Sequence, residues 1–196
     1  IMLCMKAPGR HFTMYEIDPL VRTMAEKWFT YIKDCGEPNW RIGDGRIELA
    51  RDQDKHFDMF IIDAFSSDSI PAHLLTQEAM ALYLEHLADK GVIMMHITNR
   101  YYGLHGPITT LAIAEKLQAF TFSDKLKDLS VGHIPSEWVL LARPDVDLTR
   151  VKELGWVPLN VPGFALWRDD FANVMGALKI LQPQQAGAGS NDHAPQ

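Results

Sequence analysis

Apolar and polar positions in the first two-thirds of the chain switch repeatedly between a period of two and a period near 3.6. Strands and helices are therefore predicted to alternate. Residues 11–17 alternate and are rich in aromatic and β-favouring types, which predicts a strand. Asp18-Pro19 then starts a helix, with Asp as N-cap and Pro in the first turn. Val21, Met24, Ala25, Trp28 and Phe29 give that helix an apolar face. Residues 35–38 form a loop, and Trp40-Arg41-Ile42 a short strand ending at Gly43-Asp44-Gly45. A helix through Ile47, Leu49 and Ala50 leads to a strand over 57–63, in which Met59, Phe60, Ile61 and Ile62 are expected in the core. Thr76 can cap a helix carrying Ala79, Leu82, Tyr83, Leu84 and Leu87, and Gly91 ends the turn before a strand over 92–98. A helix over 107–119, strands over 121–126 and 137–142, and a last helix opening at Asp169-Asp170 complete the reading.

Several of these strands are apolar on both faces, which is the mark of a parallel sheet covered by helices. The expected fold class is therefore α/β, a doubly wound and mostly parallel sheet with an antiparallel finish. No internal repeat is visible. Residues 182–196 have nothing to bury and read as a disordered tail, leaving 1–181 as one domain. The chain opens on Ile1 in mid-pattern, as a piece of something longer would.

Composition narrows the chemistry only a little. At 196 residues, 47% hydrophobic and 22% charged, the chain suits a soluble domain with a substantial core. A net charge of -6 with no Lys/Arg-rich run argues against nucleic acid and suits a cationic small molecule. Cys4 and Cys35 are too few and too widely spaced for a zinc site or a disulfide framework, which reads as a reduced, cytoplasmic compartment. The eight histidines include no His-Glu-x-x-His and no i,i+4 pair, so no metal is expected. No apolar run approaches the roughly 18 residues a membrane helix needs.

Three successive strands end in acid: Glu16 with Asp18, then Asp44, then Asp63. In open α/β sheets ligands bind at the carboxyl ends of strands. The acid ending the second strand of a nucleotide-binding fold accepts from two ribose hydroxyls, and a carboxylate offers two acceptor oxygens. Glu16 is assigned that role, whereas Asp18 before Pro19 reads first as a helix cap. Asp44 with Gly45 suits an adenine amino group, glycine letting the backbone approach the ring, with capping an equal alternative. Asp63 ends the most apolar strand, and Asp68 follows five positions on. Asn99, Arg100 and Tyr101 lie in a loop beyond the next strand, on the same edge. Arg100 can pair with Asp63 or Asp68. His96 within an apolar strand reads as a satisfied core histidine, Asp169-Asp170 as the cap of the last helix, and His73 as packing.

Taken in order, five motifs resemble the spermidine synthase-like family, closest to its branch fused to membrane segments. They are Tyr-Glu-Ile-Asp-Pro (15–19), Gly-Asp-Gly (43–45), Ile-Ile-Asp-Ala-Phe-Ser-Ser-Asp-Ser-Ile-Pro-Ala-His-Leu-Leu-Thr (61–76), His-Ile-Thr-Asn-Arg-Tyr (96–101) and Leu-Trp-Arg-Asp-Asp-Phe-Ala-Asn (166–173). The match spans residues 8–181. It implies the class I methyltransferase fold, a co-substrate that is decarboxylated S-adenosylmethionine or S-adenosylmethionine, and aminopropyl transfer to putrescine or another amine. It further implies Asp63 as catalytic base, Asp68 and Ser67 with Asn99, Arg100 and Tyr101 at the amine, and Glu16, Asp18, Asp44 and Gly45 at the nucleoside. A homodimer and a membrane segment in the full protein are also expected.

Three departures from the family pattern bear on this. The first strand and its glycine loop are expected before Ile1, the amino-terminal β-rich domain of true synthases is absent, and four residues rather than two separate Asp63 from Asp68. A methyltransferase on the same fold, or a non-catalytic domain that kept it, are the alternative readings.

Overall fold

The computed structural model describes Cys4 and residues 9–53, 56–64, 71–126, 130 and 133–181. Strand β1 (Thr13–Glu16) pairs in parallel with β2 (Asn39–Ile42). The crossover between them carries α1 (Pro19–Trp28) and α2 (Thr30–Cys35). A second sheet has the order β3-β4-β6-β5-β7, built from β3 (Phe57–Ile62), β4 (Leu87–His96), β5 (Gln118–Asp124), β6 (Ser136–Ala142) and β7 (Val157–Pro158). β3 and β4 are parallel, and every later pairing is antiparallel. Helices α3 (Gly45–Arg51), α4 (Gln77–His86), α5 (His105–Ala114) and α6 (Thr149–Glu153) fill the connections. The α/β alternation and antiparallel finish are as expected, but the described strands form two sheets rather than one.

β4 shows why the apolar run in its second half is unbroken. Ile93 and Met95 join Val139 and Leu141 of β6, Met80 and Tyr83 of α4, and Ile108 and Leu111 of α5 in one core cluster. The intervening Val92 and Met94 pack into a second cluster around Phe120, Leu140, Ala142 and Leu148. A strand covered on both faces needs apolar residues at every position. Each fully buried side chain of this size contributes about 1.5–3 kcal/mol.

Several expectations are corrected. β3 is an edge strand of its sheet, so Met59 is 47% exposed rather than in the core. On α1 only Ala25 is buried; Val21, Met24, Trp28 and Phe29 all stand exposed. The helix over 107–119 ends instead at Ala114, because Lys116 adopts φ 56° and Leu117 N–H turns back to Ala112 C=O. Its last predicted residues enter β5. No helix opens at Asp169-Asp170; Arg168 and Phe171 bridge each other, and among the described residues single 3-10 turns follow at Met175–Ala177 and Lys179–Leu181. Cys4 and Cys35 are joined as a disulfide despite 31 residues of separation, since Cys4 lies against the end of α2. Among the described residues no helix is long and apolar enough to cross a membrane.

Candidate active site at the strand ends

Parallel pairing sets β3 and β4 with their carboxyl ends on the same edge, Ile62 beside Met95. The next residues are Asp63 and His96, and they meet: His96 Nδ1 lies 2.6 Å from Asp63 Oδ1. Asp63 is 63% exposed at its side chain and His96 only 24%. The imidazole is held on its face by Trp138, which sits opposite it on β6, with ring centroids 4.7 Å apart and planes 27° off parallel. His96 is therefore an edge residue bonded to the acid, not an enclosed core histidine. Two consecutive apolar strands ending in Asp and His, in a parallel sheet, were the signal that could have found the pair.

On the other sheet, Glu16 ends β1 and its Oε1 accepts from Asp18 N–H at 3.0 Å. Asp18 accepts from Leu20 N–H and so caps α1. Gly43 N–H donates to Glu16 C=O, drawing the end of β2 against the end of β1. Asp44 caps α3, its Oδ1 taking Arg46 N–H at 3.0 Å and Ile47 N–H at 3.1 Å. Its Oδ2 lies 3.0 Å from His73 Nε2, so His73 does more than pack. Partial burial works to raise the Asp44 pKa, but the Ile47 and Arg46 amides and His73 outweigh it and hold the carboxyl low. Both oxygens are thus committed, and of Asp44's two readings the helix cap is the one its bonds fill. Nothing in the packing demands Gly45: a Cβ there would meet Tyr15 Cβ at an ordinary 3.7 Å. An open cleft of about 450 Å³, lined by Asp44, Arg46, Ile47, Ala50, His73 and Leu82, adjoins this turn. Asp63 does not line it.

The loop after β4 is largely self-supporting. Asn99 is buried and its Oδ1 accepts from Tyr101 and Tyr102 N–H, both at 2.9 Å, while its C=O accepts from Lys179 Nζ. Arg100 lies over the ring of Tyr101, 5.6 Å from its centroid. Of the described groups it is His96, not Arg100, that pairs with Asp63. Ser67 and Asp68 lie outside the described residues.

A network missed from the sequence ties this edge together. Arg46 grips Asp169 with both terminal nitrogens, at 2.7 and 2.6 Å. Asp169 also accepts from Thr76 Oγ1 at 2.7 Å, and Thr76 caps α4. Arg46 Nη1 further donates to His73 C=O. Asp169 therefore clamps α3 to the start of α4 instead of capping a helix. The Arg46 bonds hold its carboxyl below the usual range against a smaller opposing effect of desolvation.

No family model matches the chain. Over 89 residues, 44% of its length, it is 32% identical to a polyamine aminopropyltransferase of Vibrio vulnificus strain CMCP6, of which the match covers 29%. Its fold is similar to that of a probable spermidine synthase from Corynebacterium glutamicum, with TM-score 0.51 and 19% identity, covering 69% of this chain and 48% of that one. It is similar also to human methyltransferase-like protein 13, solved with SAH, with TM-score 0.55 and 18% identity, covering 76% of this chain and 68% of that one. The chain is thus similar in sequence, over those 89 residues, to an aminopropyltransferase, and its fold is the class I methyltransferase-like fold of these solved structures. It spans less than half the length of the aminopropyltransferase and synthase that it resembles.

Proposed function

We propose that this chain is the nucleotide-binding part of an aminopropyltransferase, moving an aminopropyl group from decarboxylated S-adenosylmethionine to putrescine or another small amine. The observation that carries the reading is Asp63, an exposed carboxylate at the carboxyl end of an apolar strand in a spermidine synthase-like chain. An amine arrives as an ammonium ion and must lose a proton before it can attack. Asp63 accepts that proton through Oδ2, the oxygen outside its bond to His96. The freed nitrogen lone pair forms a bond to the carbon beside sulfur, and the carbon–sulfur bonding pair returns to sulfur. The sulfonium becomes a neutral thioether, methylthioadenosine leaves, and one positive charge remains on the new secondary amine. A local negative charge makes the approach of two cations tolerable.

Glu16 suits the ribose, since Oε1 keeps a lone pair beside Asp18 N–H and Oε2 lies outside that bond. Gly45 leaves the backbone open to an adenine ring, while Asp18 and Asp44 serve by shaping the two turns. Asp68, Ser67, Arg100 and Tyr101 are the proposed amine contacts, with Asn99 setting the loop that presents the last two. A homodimer, a cytoplasmic site of action and a membrane segment elsewhere in the protein belong to the same reading.

The test is incubation of the full-length gene product with decarboxylated S-adenosylmethionine and a panel of amines. Methylthioadenosine release that Asp63→Asn lowers by about 10²-fold or more supports it. S-adenosylhomocysteine formed from S-adenosylmethionine would move the assignment to methyl transfer. Binding of methylthioadenosine that Glu16→Ala leaves untouched, measured by calorimetry, removes the assigned ribose contact.

A further inference from the structure

We infer that His96 is a positioning residue for Asp63, holding the carboxylate in one orientation so that only Oδ2 faces the incoming ammonium. The inference rests on the aminopropyltransferase reading and adds a residue to it. An ionised carboxylate can only accept, so the 2.6 Å contact with Asp63 Oδ1 requires the proton on His96 Nδ1. The ring cannot swing away without losing its stack on Trp138, and it cannot slide because β4 and β6 hold His96 and Trp138 in register. Asp63 by itself stands just beyond an edge strand with most of its side chain in solvent. Left alone it would sample several rotamers. A base that must meet a proton within hydrogen-bond reach loses rate when its direction is not fixed. The imidazole supplies that direction from the neighbouring strand, and Trp138 supplies the direction of the imidazole.

What His96 gives to Asp63 is one N–H donor at a fixed point, and an asparagine amide at the same position can place a donor close to Nδ1. The experiment compares wild type, His96→Ala and His96→Asn for methylthioadenosine release with putrescine. Histidine nitrogen NMR on wild type and Asp63→Ala is recorded alongside. His96→Ala is expected to lower kcat by about 10–100-fold with KM for the amine changed less than about threefold. His96→Asn is expected to recover kcat to within about fivefold of wild type. The NMR spectrum should show the Nδ1–H tautomer of His96 in wild type and its loss in Asp63→Ala. That readout needs no turnover and reports the bond itself, while the fall in kcat at nearly constant KM and its recovery in His96→Asn are what a purely structural role would not produce.

Wild-type kcat in His96→Ala, or an Asn variant that folds with the wild-type melting temperature yet is as slow as Ala, overturns the inference. A wild-type protein that releases no methylthioadenosine with any amine of the panel sinks the reaction instead. The Nδ1–H signal then reports whether the pair itself exists.

Discussion

Replacing Asp169 by alanine removes three acceptor contacts at once: two from Arg46 and one from Thr76. Charge-assisted hydrogen bonds are worth about 1.5–3 kcal/mol each when buried. Here Arg46 is 20% exposed and Asp169 46%, so solvent screening reduces the bidentate pair to about 1–2 kcal/mol in total. Thr76 is buried, and losing its 2.7 Å acceptor leaves its hydroxyl only the longer 3.5 Å contact to His73 C=O, which adds about 1 kcal/mol. Asp169→Ala should therefore cost about 2–3 kcal/mol, and Arg46→Ala less. Asp169→Asn keeps an acceptor for Thr76 and isolates the charge. The assay is urea unfolding of both single variants and the double variant, which yields the coupling energy directly.

A coupling of about 1–2 kcal/mol is expected, equivalent to a melting shift of about 2–8 °C in a domain of this size. The folded Asp169 carboxyl is held low, so its contribution is present above the unfolded carboxylate pKa and fades as pH falls through the folded value. The coupling should accordingly be full at pH 7 and shrink in acid below about pH 4. A coupling under about 0.3 kcal/mol at pH 7 would refute the clamp, since distant independent sites differ by no more than that.

Asp44→Ala strips the α3 cap and should destabilise by about 1 kcal/mol in urea unfolding. That loss too should vanish in acid, because Asp44 is likewise held low in the folded state. Gly106→Ala drives a methyl group into the Phe164 ring at the first turn of α5, with an expected cost of about 1–3 kcal/mol by thermal melting. Alkylation of unreduced protein followed by mass spectrometry should leave Cys4 and Cys35 unmodified, whereas full modification of both thiols would refute the Cys4–Cys35 bond.

The sequence by itself determined the local and the periodic. Asp18, Asp44 and Thr76 cap helices because their short polar side chains reach the first free amides, a relation confined to three residues. The apolar run of β4 declared a strand covered on both faces, and acids at successive strand ends were legible where open α/β sheets in general bind ligands.

Tertiary structure decided what depends on neighbours distant in the chain. His96 looked like core because periodicity measures burial along a strand, whereas its partner Asp63 lies 33 residues away and meets it only through parallel register. Asp169 looked like a cap because Asp-Asp before an apolar stretch is a local cue, yet Arg46 captures it across 123 residues. The apolar face of α1 was legible as a pattern, but whether a pattern is covered is a property of the assembled chain. The acids at the strand ends were therefore readable in the sequence, while the pairing of Asp63 with His96 came from the fold.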